Sequence, residues 1–115
     1  IHGIDYDSLS GSLILSDVGS AAVADDGKVY VLNNVTMSSG LVNISTTISG
    51  PNTLLGNHVD IMYTGTDLYV AEKSNNVVMR FNNILSITGG DISADASTAF
   101  TAPESVAILP AWLNQ

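Results

Sequence analysis

The sequence predicts an all-β fold built from a repeated four-stranded antiparallel unit. Three observations carry this. Short alternating apolar runs recur along the chain, turn residues separate them, and one strand–turn–strand segment has a weaker copy about fifty residues earlier. The strong copy is Thr66-Asp-Leu-Tyr-Val-Ala-Glu-Lys-Ser-Asn-Asn-Val-Val-Met-Arg-Phe81. The weaker one aligns Val29-Tyr-Val-Leu-Asn-Asn-Val35 with Val78-Met-Arg-Phe-Asn-Asn-Ile84.

Taken in order, the predicted strands are 4–7, 12–16, 28–32, 41–48, 59–63, 67–71, 77–81 and 105–109, with a less distinct one over 94–101. Each is rich in Val, Ile, Leu or Tyr, residues that fit a pleated, half-buried surface. Ser8-Leu-Ser-Gly11, Asp25-Asp-Gly27, Ser38-Ser-Gly40, Ser49-Gly-Pro-Asn52, Thr64-Gly65, Lys73-Ser-Asn-Asn76 and Thr88-Gly-Gly90 punctuate them. These residue types tolerate positive φ or bond their own backbone. Helical turns are predicted only at 82–87 and 21–25. Trp112, the sole Trp, sits in a tail at 111–115 where a large aromatic caps an apolar face.

The repeat can be followed strand by strand. First strands align as His2-Gly-Ile-Asp-Tyr6, Val59-Asp-Ile-Met-Tyr63 and Glu104-Ser-Val-Ala-Ile108. Second strands align as Gly11-Ser-Leu-Ile-Leu-Ser-Asp17 and Thr66-Asp-Leu-Tyr-Val-Ala-Glu72. Third strands align at their Asn-Asn pairs, and fourth strands fall at 41–48 and 94–101. The units are 1–57, with an insertion near 18–27, then 58–102, then a first strand and tail at 103–115. Four strands in about 45–57 residues is the size of a propeller blade.

Leu68-Tyr-Val-Ala-Glu-Lys-Ser-Asn-Asn-Val-Val-Met-Arg-Phe81 resembles the core of an NHL-type β-propeller repeat of bacteria. There a Tyr-Val-Ala-Asp strand end is followed by a Ser/Gly-Asn-Asn turn and a strand closing on an aromatic. Ser49-Gly-Pro-Asn-Thr-Leu54 is similar to the linker before such a blade. The resemblance implies two four-stranded antiparallel blades plus one strand of a third. Because such blades close in rings of four to eight, it implies either a fragment of a longer protein or a homo-oligomer, with other blades as the first partner. An open β-sandwich is the competing arrangement.

Composition narrows function. The chain has 3 Lys and Arg against 11 carboxylates, a net charge of −8. Binding to a phosphate backbone or an anionic membrane surface needs the opposite sign, so no nucleic-acid partner is expected. No apolar run approaches the roughly 18 residues that span a bilayer. With no Cys, disulfides, thiolate zinc sites and Cys nucleophiles are excluded. No Gly-x-Ser-x-Gly elbow, dinucleotide fingerprint or Walker loop is present. The Asn-, Ser- and Thr-rich, Lys-poor texture points to an exported bacterial protein, periplasmic or extracellular.

In the propeller arrangement the first strand of each blade lines an axial channel. The candidate channel ligands are then His2, Asp5, His58, Asp60 and Glu104. Imidazole and carboxylate groups converging from successive strands can hold a divalent cation; no other cofactor is expected. Alternation places His58 and Asp60 on one strand face. Glu72, Lys73 and Arg80 read as a surface charge cluster across their hairpin. The sequence thus favours a non-catalytic binding or scaffolding module, for a protein or glycan ligand. A fragment of a metal-dependent propeller hydrolase or lyase is the alternative.

Overall fold

The computed structural model describes residues 1–20, 22–37 and 39–109, and contains two four-stranded antiparallel sheets and almost no helix. Sheet 1 comprises β1 (Ile4–Asp7), β2 (Ser12–Asp17), β3 (Lys28–Leu32) and β4 (Thr46–Ser49). Sheet 2 comprises β5 (His58–Tyr63), β6 (Leu68–Glu72), β7 (Val77–Phe81) and β8 (Ala96–Ala99). Both run in sequential order, β1-β2-β3-β4 and β5-β6-β7-β8. Short 3-10 turns occur at Val35–Met37 and Pro51–Thr53. Neither sheet closes on itself.

The repeat is kept in the ladders. Tyr6 faces Leu13 as Tyr63 faces Leu68. Leu13 faces Leu32 as Leu68 faces Phe81, and Val29 faces Ile48 as Val78 faces Thr98. One Asn of each turn pair adopts the left-handed conformation, at Asn34 (φ 54), Asn76 (φ 55) and Asn83 (φ 50). This is a conformation that Asn reaches more readily than other non-glycine residues.

Several expected elements are shorter or absent. The strand expected over 41–48 is ordered in a ladder only at Thr46–Ser49, since β3 supplies partners no further than Val31. Leu41 is fully exposed as a result. Residues 82–86 make a hydrogen-bonded turn, Ser86 N to Asn83 O, not a helix. Residues 103–109 form no regular element, because a strand exists only within a ladder and no described segment pairs with them. The expected cap at Trp112 lies outside the described residues.

One apolar cluster joins the two sheets. Ile14, Val29, Val31 and Ile48 come from sheet 1, and Ile61, Leu68, Val70, Val77, Met79 and Phe81 from sheet 2. Leu55 and Ile84 enter from loops. Which faces meet follows from hydrogen-bond phase. In a strand of L-residues, the side on which a residue bonds fixes the face its side chain takes. Ser16 donates to Gly3 O, so the buried residues of β2 (Ser12, Ile14, Ser16) bond towards β1. In β6 the bonds towards β5 come from Asp67 and Lys73. By alternation, the buried Leu68, Val70 and Glu72 therefore bond towards β7. Equivalent strands bury opposite faces. We call the buried face of sheet 1 its trailing face and that of sheet 2 its leading face. A two-fold sandwich would bury the same face of both.

Truncation at the centre of this cluster should be severe. Phe81→Ala should destabilise the chain by about 3–5 kcal/mol in urea unfolding. Leu41→Ala, at a fully exposed position, should stay within about 0.5 kcal/mol of the parent.

Candidate functional site

Three of the polar groups singled out by the sequence, Asp5, His58 and Glu72, lie along the seam where the sheets meet. Linker 50–57, residues 24–27 of the insertion and the turn 73–76 converge there. Gly27 and Gly56 allow this approach: a Cβ on Gly27 would lie 2.5 Å from Gly56 O. Gly27 N then donates to Leu55 O at 2.8 Å. The insertion, which departs from the repeat, is thus part of the bracket between units.

Glu72 is fully buried at this seam. Its carboxylate accepts from Gly56 N at 2.9 Å and from Asn75 N at 2.6 Å. Burial raises its pKa, while the two amide donors oppose the rise. The Asn75 amide group donates to Leu54 O at 2.9 Å and to Ala24 O at 3.0 Å. The expected surface cluster of Glu72, Lys73 and Arg80 is therefore not formed. Glu72 faces the seam, Lys73 pairs with Glu104, and Arg80 Nε donates to Asn82 Oδ1 at 2.8 Å.

His58 is also fully buried. Its Nε2 donates to Lys28 O at 3.0 Å, and Nδ1 has no hydrogen-bond partner among the described residues. Burial lowers its pKa below 6.5 by disfavouring the imidazolium; nearby backbone carbonyls and Asp17 oppose this only in part. The ring bolts β5 to the start of β3.

His58 and Asp60 do not share a face. His58 faces Glu72 across the ladder and Asp60 faces Ala71, so two steps along β5 match one along β6. This β-bulge inverts the alternation. Asp60 consequently points away from sheet 1 and accepts from Val106 N at 3.0 Å and Ser105 Oγ at 3.2 Å.

Asp5, on the trailing face of β1, plays a parallel part between the sheets. Its Oδ2 accepts from Tyr63 N at 2.8 Å. Partial burial raises its pKa, the Tyr63 amide lowers it, and the charge of Asp60 adds a smaller rise. Asp5 thus takes an amide from β5, and Asp60 takes one from the irregular segment 103–109. The exposed His2 donates its backbone N to Ser16 O at 3.0 Å. Glu104 is exposed, and its pKa is lowered by the hydrogen bond and charge of Lys73.

The five candidates therefore do not converge. Among the described residues, no three His, Asp or Glu side chains are placed to hold a metal ion. Period-two counting could not find the role of Glu72 or Asn75. The signal that could was the unusual sequence of a carboxylate and an Asn pair flanking one short turn. No family model, curated protein or solved structure matches the chain.

Two outcomes follow from these contacts. Asp5→Ala should raise the hydrogen-exchange rate of the Tyr63 amide by about tenfold, since a bond to a charged acceptor holds it. Asp60→Ala should do so for Val106 and leave Tyr63 unchanged. Acidification should also act through His58. Its folded pKa lies below 6.5, so the unfolded chain gains the proton first. Stability is then lost as pH falls through 6.5, by at most about 1.4 kcal/mol per pH unit. Glu72, with a raised pKa, tilts the opposite way and is common to parent and variant. In His58→Leu, melting temperature between pH 7 and pH 5 should therefore fall less than in the parent.

Proposed function

We propose that the chain is a non-catalytic repeat module of β-propeller type, resembling the NHL repeats, that binds or scaffolds within a longer exported bacterial protein. The carrying observation is the sense of stacking: equivalent sheets bury opposite faces, trailing against leading. This is how blades succeed one another around an axis, each offering the next the face that the previous one offered it. The Asp60 contacts to residues 105 and 106 support reading 103–115 as the beginning of a third blade, after blades at 1–57 and 58–102. A repeat unit of this kind needs neighbours to bury its faces, which is the ground for placing it in a longer array. The low Lys content and Asn-rich surface are the ground for placing that array outside the bacterial cytoplasm, with a protein or glycan ligand.

The hydrolase or lyase alternative draws less support. Its metal would need His2, His58 and Glu104 together. In the arrangement described above, His58 bonds a backbone carbonyl and Glu104 bonds Lys73.

A third unit tests the proposal. When a copy of residues 58–102 is inserted after Ala102, nearest-neighbour stacking predicts a single cooperative transition at higher temperature than the parent. Separate melting of the added unit would sink the blade reading. Metal-dependent hydrolysis of a lactone or ester by the parent chain would sink the non-catalytic one.

A further inference from the structure

The stacking sense leaves two unlike surfaces open, and each already has its counterpart inside the chain. The outer side of sheet 1 is its leading face, bearing Ile4, Tyr6, Leu13, Leu15, Tyr30 and Leu32. Ile4 and Tyr6 are 64% and 47% exposed, and the other four are half-buried. By the ladder register, Leu13, Leu15 and Leu32 stand where Leu68, Val70 and Phe81 stand in sheet 2. Those three are fully buried against sheet 1. The outer side of sheet 2 is a trailing face, bearing Met62, Tyr69, Val78, Arg80 and Thr98 around the fully buried Ala71. Tyr69, Val78, Arg80 and Thr98 line a shallow depression there. They occupy the positions of Ile14, Val29, Val31 and Ile48, the residues that cover the leading face of sheet 2.

We propose that the leading face of sheet 1 binds the trailing face of sheet 2 in a second copy of this chain, repeating between copies the contact made within one. The inference rests on the repeat-module reading and names the partner. Apolar exposure of this extent marks an interaction surface, and the internal interface specifies what covers it: a trailing face. The only other trailing face among the described residues is that of sheet 2. Charge does not oppose the contact. The central positions of the leading face are uncharged, and its two charged residues, Asp17 and the Lys28 opposite it, sit at one end of the β2–β3 ladder. The trailing face contributes Arg80 and, on β5, the Asp60 carboxylate, so each face carries one charge of each sign. Residues 105 and 106, held on the β5 side by Asp60, yield their place to the first strand of the incoming copy. Because two different surfaces meet, the contact is heterologous and each copy keeps one face free for the next.

The test is sedimentation equilibrium of the full 115-residue chain and of two variants, one per face. The parent should show mass rising with concentration beyond the monomer. Leu15→Lys, on the leading face, and Val78→Asp, on the trailing face, should each be monomeric, with circular-dichroism spectra like that of the parent. Their mixture should form a one-to-one heterodimer and nothing larger, since one intact face of each kind remains. Leu32→Glu and Tyr69→Glu serve as second variants where a first one fails to fold. A parent that stays monomeric overturns the proposal. So does a mixture without heterodimer, or a single variant that associates as the parent does. If the three-unit chain melts cooperatively while the parent stays monomeric, the self-association fails and the repeat-module reading stands.

Discussion

The trailing face of sheet 1 packed on the leading face of sheet 2 is the contact on which everything else in this chain depends. Its sense is imposed by chirality. In L-residues the side on which a strand residue bonds determines the face that carries its side chain. Burying Ile14 and Val31 on one sheet and Val70 and Met79 on the other therefore settles how the units succeed each other. A two-fold sandwich would have used the same face twice and left two like surfaces outside. Here the outer surfaces are unlike, and each occupies the register positions of one already buried.

The polar seam makes that contact specific. Apolar burial is non-directional and would tolerate sliding of one sheet over the other. Directional bonds do not. Asp5 takes the Tyr63 amide, His58 reaches Lys28 O, and Glu72 holds the Gly56 and Asn75 amides. The buried Glu72 is tolerable because each of its oxygens accepts a backbone amide, and the buried imidazole because Nε2 has the Lys28 carbonyl. The residues that most resembled ligands are thus engaged in joining units. Asp60 extends the same device to residues 105 and 106.

Strand positions were largely legible because period-two alternation and turn residues are local signals. Ser12–Asp17, Lys28–Leu32 and Val77–Phe81 stand where alternation put them. The strand expected at 41–48 was not legible, since its length depends on how far β3 offers partners. The pairing of His58 with Asp60 failed for a similar reason. A bulge adds one residue to one strand of a pair, and no local pattern at Val59 announces it. The charge cluster of Glu72, Lys73 and Arg80 failed because burial of Glu72 depends on Gly56, sixteen residues away in the chain and brought close only by folding.

By itself the sequence determined an all-β chain, its turns and the alignment of its two units, because these follow from side-chain periodicity and local backbone preference. Only the tertiary structure decided which face of each sheet is buried, that His58 and Asp60 part company, and that Glu72 and Asn75 belong to the joint between units. The physical reason is common to all three. A strand is amphipathic locally, but which neighbour covers it, and through which amides its carboxylates are satisfied, is a property of the packed pair of sheets.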